Sequence, residues 1–555
     1  MRWIALAALA AWPAAAAEIL DAARNDDVAA VKALASRRAD VNAREEDGAT
    51  ALAWAAHRSN TGMAEHLLKA GADPNLANEL GIGPLALAIS NGSTAMVKLL
   101  LAHRANPNLA RENGETPLMT AARLRQIETM RMLLDRGASP DARDNKFGQT
   151  ALMWAAGYPA AVRLLMDRKA DVRAVTASWD VEYTIYIPTT ATLGKTGIPW
   201  NNDGSYRSRK GGENALFFAA RKHDLESAKI LLDAGIDPNQ PSADGTTPLL
   251  AALYNWDPPN LAFVPGKGAP AAAGSSQRFA PDLAMAKLLL DRGAKSRAAD
   301  GAGYTPLHAA ALAVANAALG SEFRRGGAYG GKAALLSLGR GDRQATASQA
   351  EEAIAIVTRL LDDGAGPNQP TMYPTAGPAG DVRINPAPPG STALHIAASS
   401  RSAPLVKLLL DRGGDPNQVR KDGHTPFSVA VMAGDSAAVR ELAGRGADLR
   451  MRYHPTEKIP DPVEPITLPR RGQTIQHIAA LGGSPEVVAL LHSLGAASDE
   501  KNSAGETPMA LADHQERYRE AIERQGAEGD AAKLAAVKRR TTMTDAFRKL
   551  ASRAE

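Results

Sequence analysis

Between Glu112 and Asp144 the chain sets polar punctuation around two short helical stretches. Asn113-Gly114 marks a tight turn, because glycine tolerates a positive φ. Thr116 stands where a helix N-cap is wanted. Pro117 follows at the first helical position, where a missing N–H costs little. Small Ala121 and Ala122 let a second helix approach closely. That second helix spans Ile127–Asp135, with Met130, Leu133 and Leu134 as its apolar stripe, and Gly137 ends it in a left-handed cap. The pattern predicts a turn followed by two antiparallel helices, a unit too small to cover its own apolar face.

The same text returns along the chain. The Thr116 slot is filled by Thr50, Gly83, Thr116, Thr150, Asn214, Thr247, Thr305, Thr392, Thr425, Thr474 and Thr507, at spacings of 33, 33, 34, 64, 33, 58, 87, 33, 49 and 33 residues. The fullest copies are Thr305-Pro306-Leu307-His308-Ala309-Ala310 and Thr392-Ala393-Leu394-His395-Ile396-Ala397-Ala398. The second half recurs as Gly71-Ala72-Asp73-Pro74-Asn75, Gly235-Ile236-Asp237-Pro238-Asn239 and Gly413-Gly414-Asp415-Pro416-Asn417. A modal period of 33 residues with this wording resembles the ankyrin repeat family over most of residues 18–512. The resemblance implies an all-α repeat solenoid of about 11–12 helix–turn–helix repeats with β-turn tips.

Spacings above 34 residues mark insertions. Residues 18–175 form an N-terminal block whose first copy, 18–44, is a capping unit with its helix pattern over Ile19–Ala35. Residues 176–211 are a β-rich insertion around Ser178–Ile187, predicted as a hairpin or extended arm. Repeats with long loops fill 212–369, split by 255–281 and 314–350; Ala313–Arg324 is expected to prolong a first helix and Gln349–Leu361 to be its partner. A Pro/Gly-rich loop covers 370–388. Repeats resume over 389–527 around a loop at 451–471, and 528–555 is a tail with an amphipathic helix pattern in Asp530–Ser552.

Composition changes this picture little. Lys and Arg total 64 against 60 Asp and Glu, so the net charge of +4 gives no electrostatic footprint for nucleic acid. Aromatic residues make up 5%, which suits thin, closely packed helices. There is no cysteine, hence no disulfide and no lipidated cysteine. Arg2, the apolar run Ile4–Trp12 and Ala15-Ala16-Ala17 read as a cleavable signal peptide over residues 1–17. No later run reaches the ~18 apolar residues of a membrane span. With Ala- and Arg-rich text, this points to a bacterial protein that is periplasmic or secreted.

Reactive chemistry is sparse. Gly326–Ala333 imitates a phosphate-binding loop, but Ala333 stands where a hydroxyl should meet Mg²⁺ and no strand pattern precedes it. His308, His395 and His477 share the slot that, by the resemblance, makes structural hydrogen bonds between repeats. No catalytic, cofactor or metal residue is assigned. The resemblance instead implies protein binding on a concave face, by positions just before the slot threonine and seven or eight after it. These are His57 and Arg58; Glu115 and Arg123; Phe147, Gln149 and Tyr158; Glu213, Arg221 and Lys222; Tyr254 and Asn255; and Tyr304. Tyr and Arg dominate binding hot spots, which puts Tyr158, Tyr254, Tyr304, Arg123 and Arg221 first. The expected protein is a monomeric, non-enzymatic scaffold for another protein, with an envelope enzyme as one class of partner. A carbohydrate or cell-wall module using the aromatics of 176–211 is the alternative.

Overall fold

A computed structural model describes residues 17–184, 205–254, 281–319, 347–372, 390–454, 471–482, 484–526 and 542–552. The expected signal peptide, the phosphate-loop imitation and most of each insertion lie outside these residues. The chain forms two compact units. The first is Met1–Trp179 with Arg209–Ala243, and the second is Asp180–Ser208 with Asp244–Glu555.

The repeat in the first unit is built as its residues dictate. Thr50 Oγ1 accepts from Ala53 N at 3.2 Å and Thr116 Oγ1 from Met119 N at 3.3 Å, closing one open amide at each helix start. Pro84 and Pro117 sit at the first helical position. The first helices, such as Ala51–His57 and Pro117–Arg123, stack on one another. So do the second helices, such as Thr61–Lys69 and Ile127–Asp135. Leu52, Leu118, Leu152 and Leu216 from the first layer and Leu67, Leu100, Leu133, Leu165 and Leu231 from the second are buried between them. The N-terminal copy is a whole pair rather than one run. Residues 17–24 and Val28–Ser36 are separate helices, because Asp26 is left-handed and Asp27 caps the second by accepting from Ala30 N at 2.9 Å.

Turn tips join edge to edge. Glu112 N donates to Leu80 O at 3.1 Å, Asn145 N to Asn113 O at 2.9 Å and Ala177 N to Phe147 O at 2.8 Å. Gly114 shows why the tip wants glycine: its φ is +79°, and a Cβ there would lie 2.4 Å from Asn145 N. After the Ala177 contact, strands Ser178–Thr184 and Ser205–Gly211 pair as a two-stranded sheet, the expected hairpin.

The Asp-Pro-Asn text has a precise use. Asp73 Oδ1 accepts from Asn75 N at 2.9 Å within its own turn. Asn75 then clamps the next repeat, donating to Arg104 O at 3.3 Å and accepting from Asn106 N at 2.6 Å. Asn108 does the same to Gly137 O and Ser139 N, at 2.9 and 2.7 Å. In the second unit Asn368 reaches Gly413 O and Asp415 N, and Asn417 reaches Gly446 O and Asp448 N, all at 2.7–2.9 Å. The Asn368 clamp spans an insertion without losing register.

The second unit keeps the same layers around longer elements. Pro306–Leu319 and Ala347–Asp362 are the lengthened pair the sequence predicts, packed on each other. Thr542–Ala551 closes the end, buried by Phe547 and Leu550 against Pro485–Ser493 and Pro508–Gly526. Glu516 holds its start, accepting from Met543 N at 2.9 Å and from Thr544 Oγ1 at 2.7 Å.

Histidines tie repeats here. Thr305 N donates to His308 Nδ1 at 3.2 Å, so Nδ1 is the acceptor and Nε2–H donates to Ser391 O at 3.2 Å. His395 does this between Thr392 N (3.1 Å) and His424 O (3.2 Å), and His477 between Thr474 N (3.3 Å) and Glu506 O (2.9 Å). Burial pushes His308 and His424 down to about 4 and His395 to about 3, and it lowers His477 as well. Among the described residues no helix is long and apolar enough to cross a membrane.

Asn417→Ala is expected to lower stability by about 1–2 kcal/mol, because it opens both Gly446 O and Asp448 N; the urea midpoint measures it. The histidines are neutral when folded, whereas the unfolded chain binds protons with a pKa near 6.5. Their stability is therefore present above pH 6.5 and lost as pH falls through about 4 to about 3, by up to about 3 kcal/mol for His308. Urea titrations from pH 7 to 4 should show this fall, and His395→Gln should flatten it.

Candidate functional site

In two repeats of the first unit the expected contact positions meet in pairs. The position before the slot threonine and the position seven after it lie one helix length apart on one face. Glu115 and Arg123 pair at 3.1 Å, and Glu213 Oε2 accepts from Arg221 Nη1 at 2.7 Å. Glu115 is buried and also accepts from Thr120 Oγ1 at 2.8 Å, with Arg111 at 3.7 Å. Burial pushes its carboxyl up, but Thr120, Arg123 and Arg111 together overcome this and hold it below the ordinary carboxylate range. Arg123 stays 45% exposed and Arg221 36% exposed, so both guanidinium groups keep a solvent side.

Aromatic rings pack against arginines of the first unit. The Arg123 guanidinium is 5.6 Å from the Trp154 ring centre, and Arg24 is 5.8 Å from Trp54. Trp54 Nε1 donates to Glu45 Oε1 at 2.9 Å, and the same oxygen accepts from Arg24 Nη2 at 2.6 Å. His57 is exposed and packs edge-on against Trp54, with ring centres 6.0 Å apart. Tyr158 is half-buried under Arg125, 5.9 Å from its ring centre. Half-buried Phe147 packs at a tilt against Trp179 with ring centres 5.2 Å apart, and Lys146 Nζ lies 4.9 Å from the Phe147 ring centre. That contact fastens the start of the hairpin to the first unit's tips. Half-buried Gln149 lies beside them, its backbone N–H donating to Asp144 Oδ2 at 3.1 Å.

Other expected positions serve the fold itself. Arg58 donates to the backbone carbonyl of Arg24, and Lys222 to that of Ala156. Position eight after the slot thus closes the carbonyl end of the preceding repeat's first helix, a use that stacking creates and sequence spacing does not reveal. Tyr304 corrects the expectation most plainly. It is 1% exposed, pressed between Tyr254 and His308 with ring centres 5.3 Å from each, and offers no free face. Tyr254 is half-buried on it, and Asn255 lies outside the described residues. Sequence reasoning missed Trp54, Trp154 and Arg125. The signal for the first two was a tryptophan four residues after the slot threonine in two copies.

Among the described residues no group of three or more His, Cys, Asp or Glu side chains could hold a metal ion. The arrangement is a strip of paired charges and half-open rings carried on rigid helices, suited to contact with another macromolecule.

Comparison with known proteins agrees with this geometry. The family model described as ankyrin repeats (3 copies) matches residues 19–111, 59–144, 85–176 and 346–453, and the one described as ankyrin repeats (many copies) matches 207–259. The chain is 39% identical over 122 residues to cyclin-dependent kinase 4 inhibitor B of Rattus norvegicus, covering 22% of this chain and 82% of that protein. It is 31% identical over 130 residues to tyrosine-protein kinase HTK16 of Hydra vulgaris, covering 23% of this chain and only 15% of the relative. A transient receptor potential cation channel subfamily A member 1 homolog of Caenorhabditis elegans is 28% identical over 137 residues, 24% of this chain and 10% of the channel. The likeness to these two long relatives thus spans a small part of their length. Stacked helix pairs, clamping asparagines, bridging histidines and these matches agree, and the chain belongs to the ankyrin repeat family.

Proposed function

We propose that this chain is a non-enzymatic binding scaffold that holds another protein on the first-helix face of its first unit. Ankyrin repeats mediate binding to protein partners, and the observation that supports the reading here is the strip itself. Arg123 and Arg221 are each steered by a carboxylate of their own repeat, yet each keeps a third or more of its surface open. Steered, half-exposed arginines, of which Arg123 also lies over Trp154, are preorganised, which limits the entropy lost on binding. The sequence reading of residues 1–17 as a signal peptide supports placement in the bacterial envelope, as a periplasmic or secreted protein that acts as a monomer.

Capture from envelope extract tests the scaffold. Arg123→Ala with Arg221→Ala should weaken recovery of the specific partner about ten-fold, while Lys32→Ala with Lys98→Ala on outer helices should not. Equal recovery by both double variants would remove this face from the site. Fractionation of the native cell should recover a chain that begins after Ala17 outside the cytoplasm. A full-length cytoplasmic chain would contradict the export reading.

A further inference from the structure

The two arginines of the first-helix face are held in different ways. Glu213 gives both of its oxygens to Arg221: Oε2 accepts from Nη1 at 2.7 Å, and Oε1 accepts from Nη2. That pair sums to zero charge. Glu115 gives Arg123 a single oxygen, Oε1, which accepts from Nη2 at 3.1 Å. The same oxygen accepts from Thr120 Oγ1 at 2.8 Å, and Oε2 faces Arg111 Nη1 at 3.7 Å. Thr120 stands four residues after the slot. The Arg221 repeat has Phe218 there, with no hydroxyl to offer.

Thr120 therefore governs how Glu115 meets its arginines. It is 1% exposed, and its hydroxyl also lies 3.3 Å from Thr116 O at the helix start. With one oxygen shared by Thr120 and the other turned to Arg111, Glu115 cannot chelate Arg123 as Glu213 chelates Arg221. Among the described residues Arg123 pairs with no other carboxylate, so its Nη1 and Nε donors meet none. The Trp154 ring, 5.6 Å from the guanidinium carbon, supports the group from one side. Arg123 is 45% exposed. Arg111 is 22% exposed and turns Nη2 to Ser90 Oγ at 3.1 Å. Two guanidinium groups around one carboxylate leave this cluster with a net charge of +1. Its accessible member is Arg123, and a guanidinium with donors to spare is a strong receptor for a carboxylate.

We propose that the partner places an Asp or Glu carboxylate on Arg123 and that Thr120, by holding Glu115, positions Arg123 for it, which rests on the scaffold reading and names the group the partner must carry. One carboxylate brings the cluster to neutrality. The two arginines are thereby ranked: Arg123 recognises the partner's charge, and Arg221, already closed on Glu213, adds surface to the contact.

Acetate is the probe. The full chain, labelled with ¹⁵N at arginine, is titrated by exchanging chloride for acetate at constant ionic strength, and the Nε–H resonances are followed by NMR. Arg123→Lys and Arg221→Lys assign the two signals. Acetate should shift the Arg123 signal at least about three-fold more steeply than the Arg221 signal. Thr120→Val frees Glu115 to give Arg123 both oxygens and should cut its response about three-fold. Thr120→Ser keeps the hydroxyl and should restore the response. Dimethyl phosphate, a stand-in for a nucleic-acid backbone, should act more weakly than acetate. Equal responses of the two arginines, an undiminished response in Thr120→Val, or an equal or larger response to dimethyl phosphate would overturn the proposal. If Thr120→Val does not fold, the comparison of Arg123 with Arg221 in the unaltered chain still decides it. In capture from envelope extract, Arg123→Ala alone should account for most of the loss seen with the double variant, and Arg221→Ala alone should cost about two-fold or less. If acetate does not favour Arg123 while capture depends on either arginine, this inference falls and the scaffold reading stands. If capture ignores both arginines, the scaffold reading of this face falls and takes this inference with it.

Discussion

A helix of seven or nine residues leaves most of its backbone groups near its ends, where no intrahelical partner exists. In this chain the next repeat closes many of them. Asn75 and Asn108 clamp the carbonyl and amide around the following helix end, and Arg58 and Lys222 reach back to the preceding one. His308, His395 and His477 carry the same function through a buried ring whose two nitrogens face two repeats. Burial of leucines supplies the driving force, but it is indifferent to register. These directional bonds set the register, and Asn368 keeps it across an insertion.

That constraint also shapes the candidate binding face. A side chain that satisfies a neighbour's carbonyl is held there, so Arg58 and Lys222 have structural duties before any partner arrives. Carboxylates beside Arg123 and Arg221 fix those guanidinium groups in direction while leaving them open to solvent. The shortened turn of the Thr150 repeat departs from the regular pattern, and Lys222 of the next repeat crosses it to reach the Ala156 carbonyl.

Much of this was legible beforehand. The eleven slot residues and the Gly-x-Asp-Pro-Asn text located the helix pairs, their caps and the insertions, because capping and turn chemistry are local and a repeat restates them at each period. The lengthened pair Pro306–Leu319 and Ala347–Asp362 and the two-stranded sheet after Ala177 were also readable from periodicity. The N-terminal copy was read as one apolar run, since a two-residue break at Asp26-Asp27 hardly disturbs helical spacing.

What the sequence by itself determined is the unit and its order: which residues turn, cap and face a neighbour. Tertiary structure alone decided which polar residues remain available. Tyr304 and Glu115 occupy equivalent slot positions in their repeats, yet one is sealed between rings and the other is locked to two arginines and a threonine. Glu115 is paired by residues of its own repeat, whereas Tyr304 is sealed by Tyr254, which the preceding repeat brings in, and spacing along the chain does not tell the two cases apart.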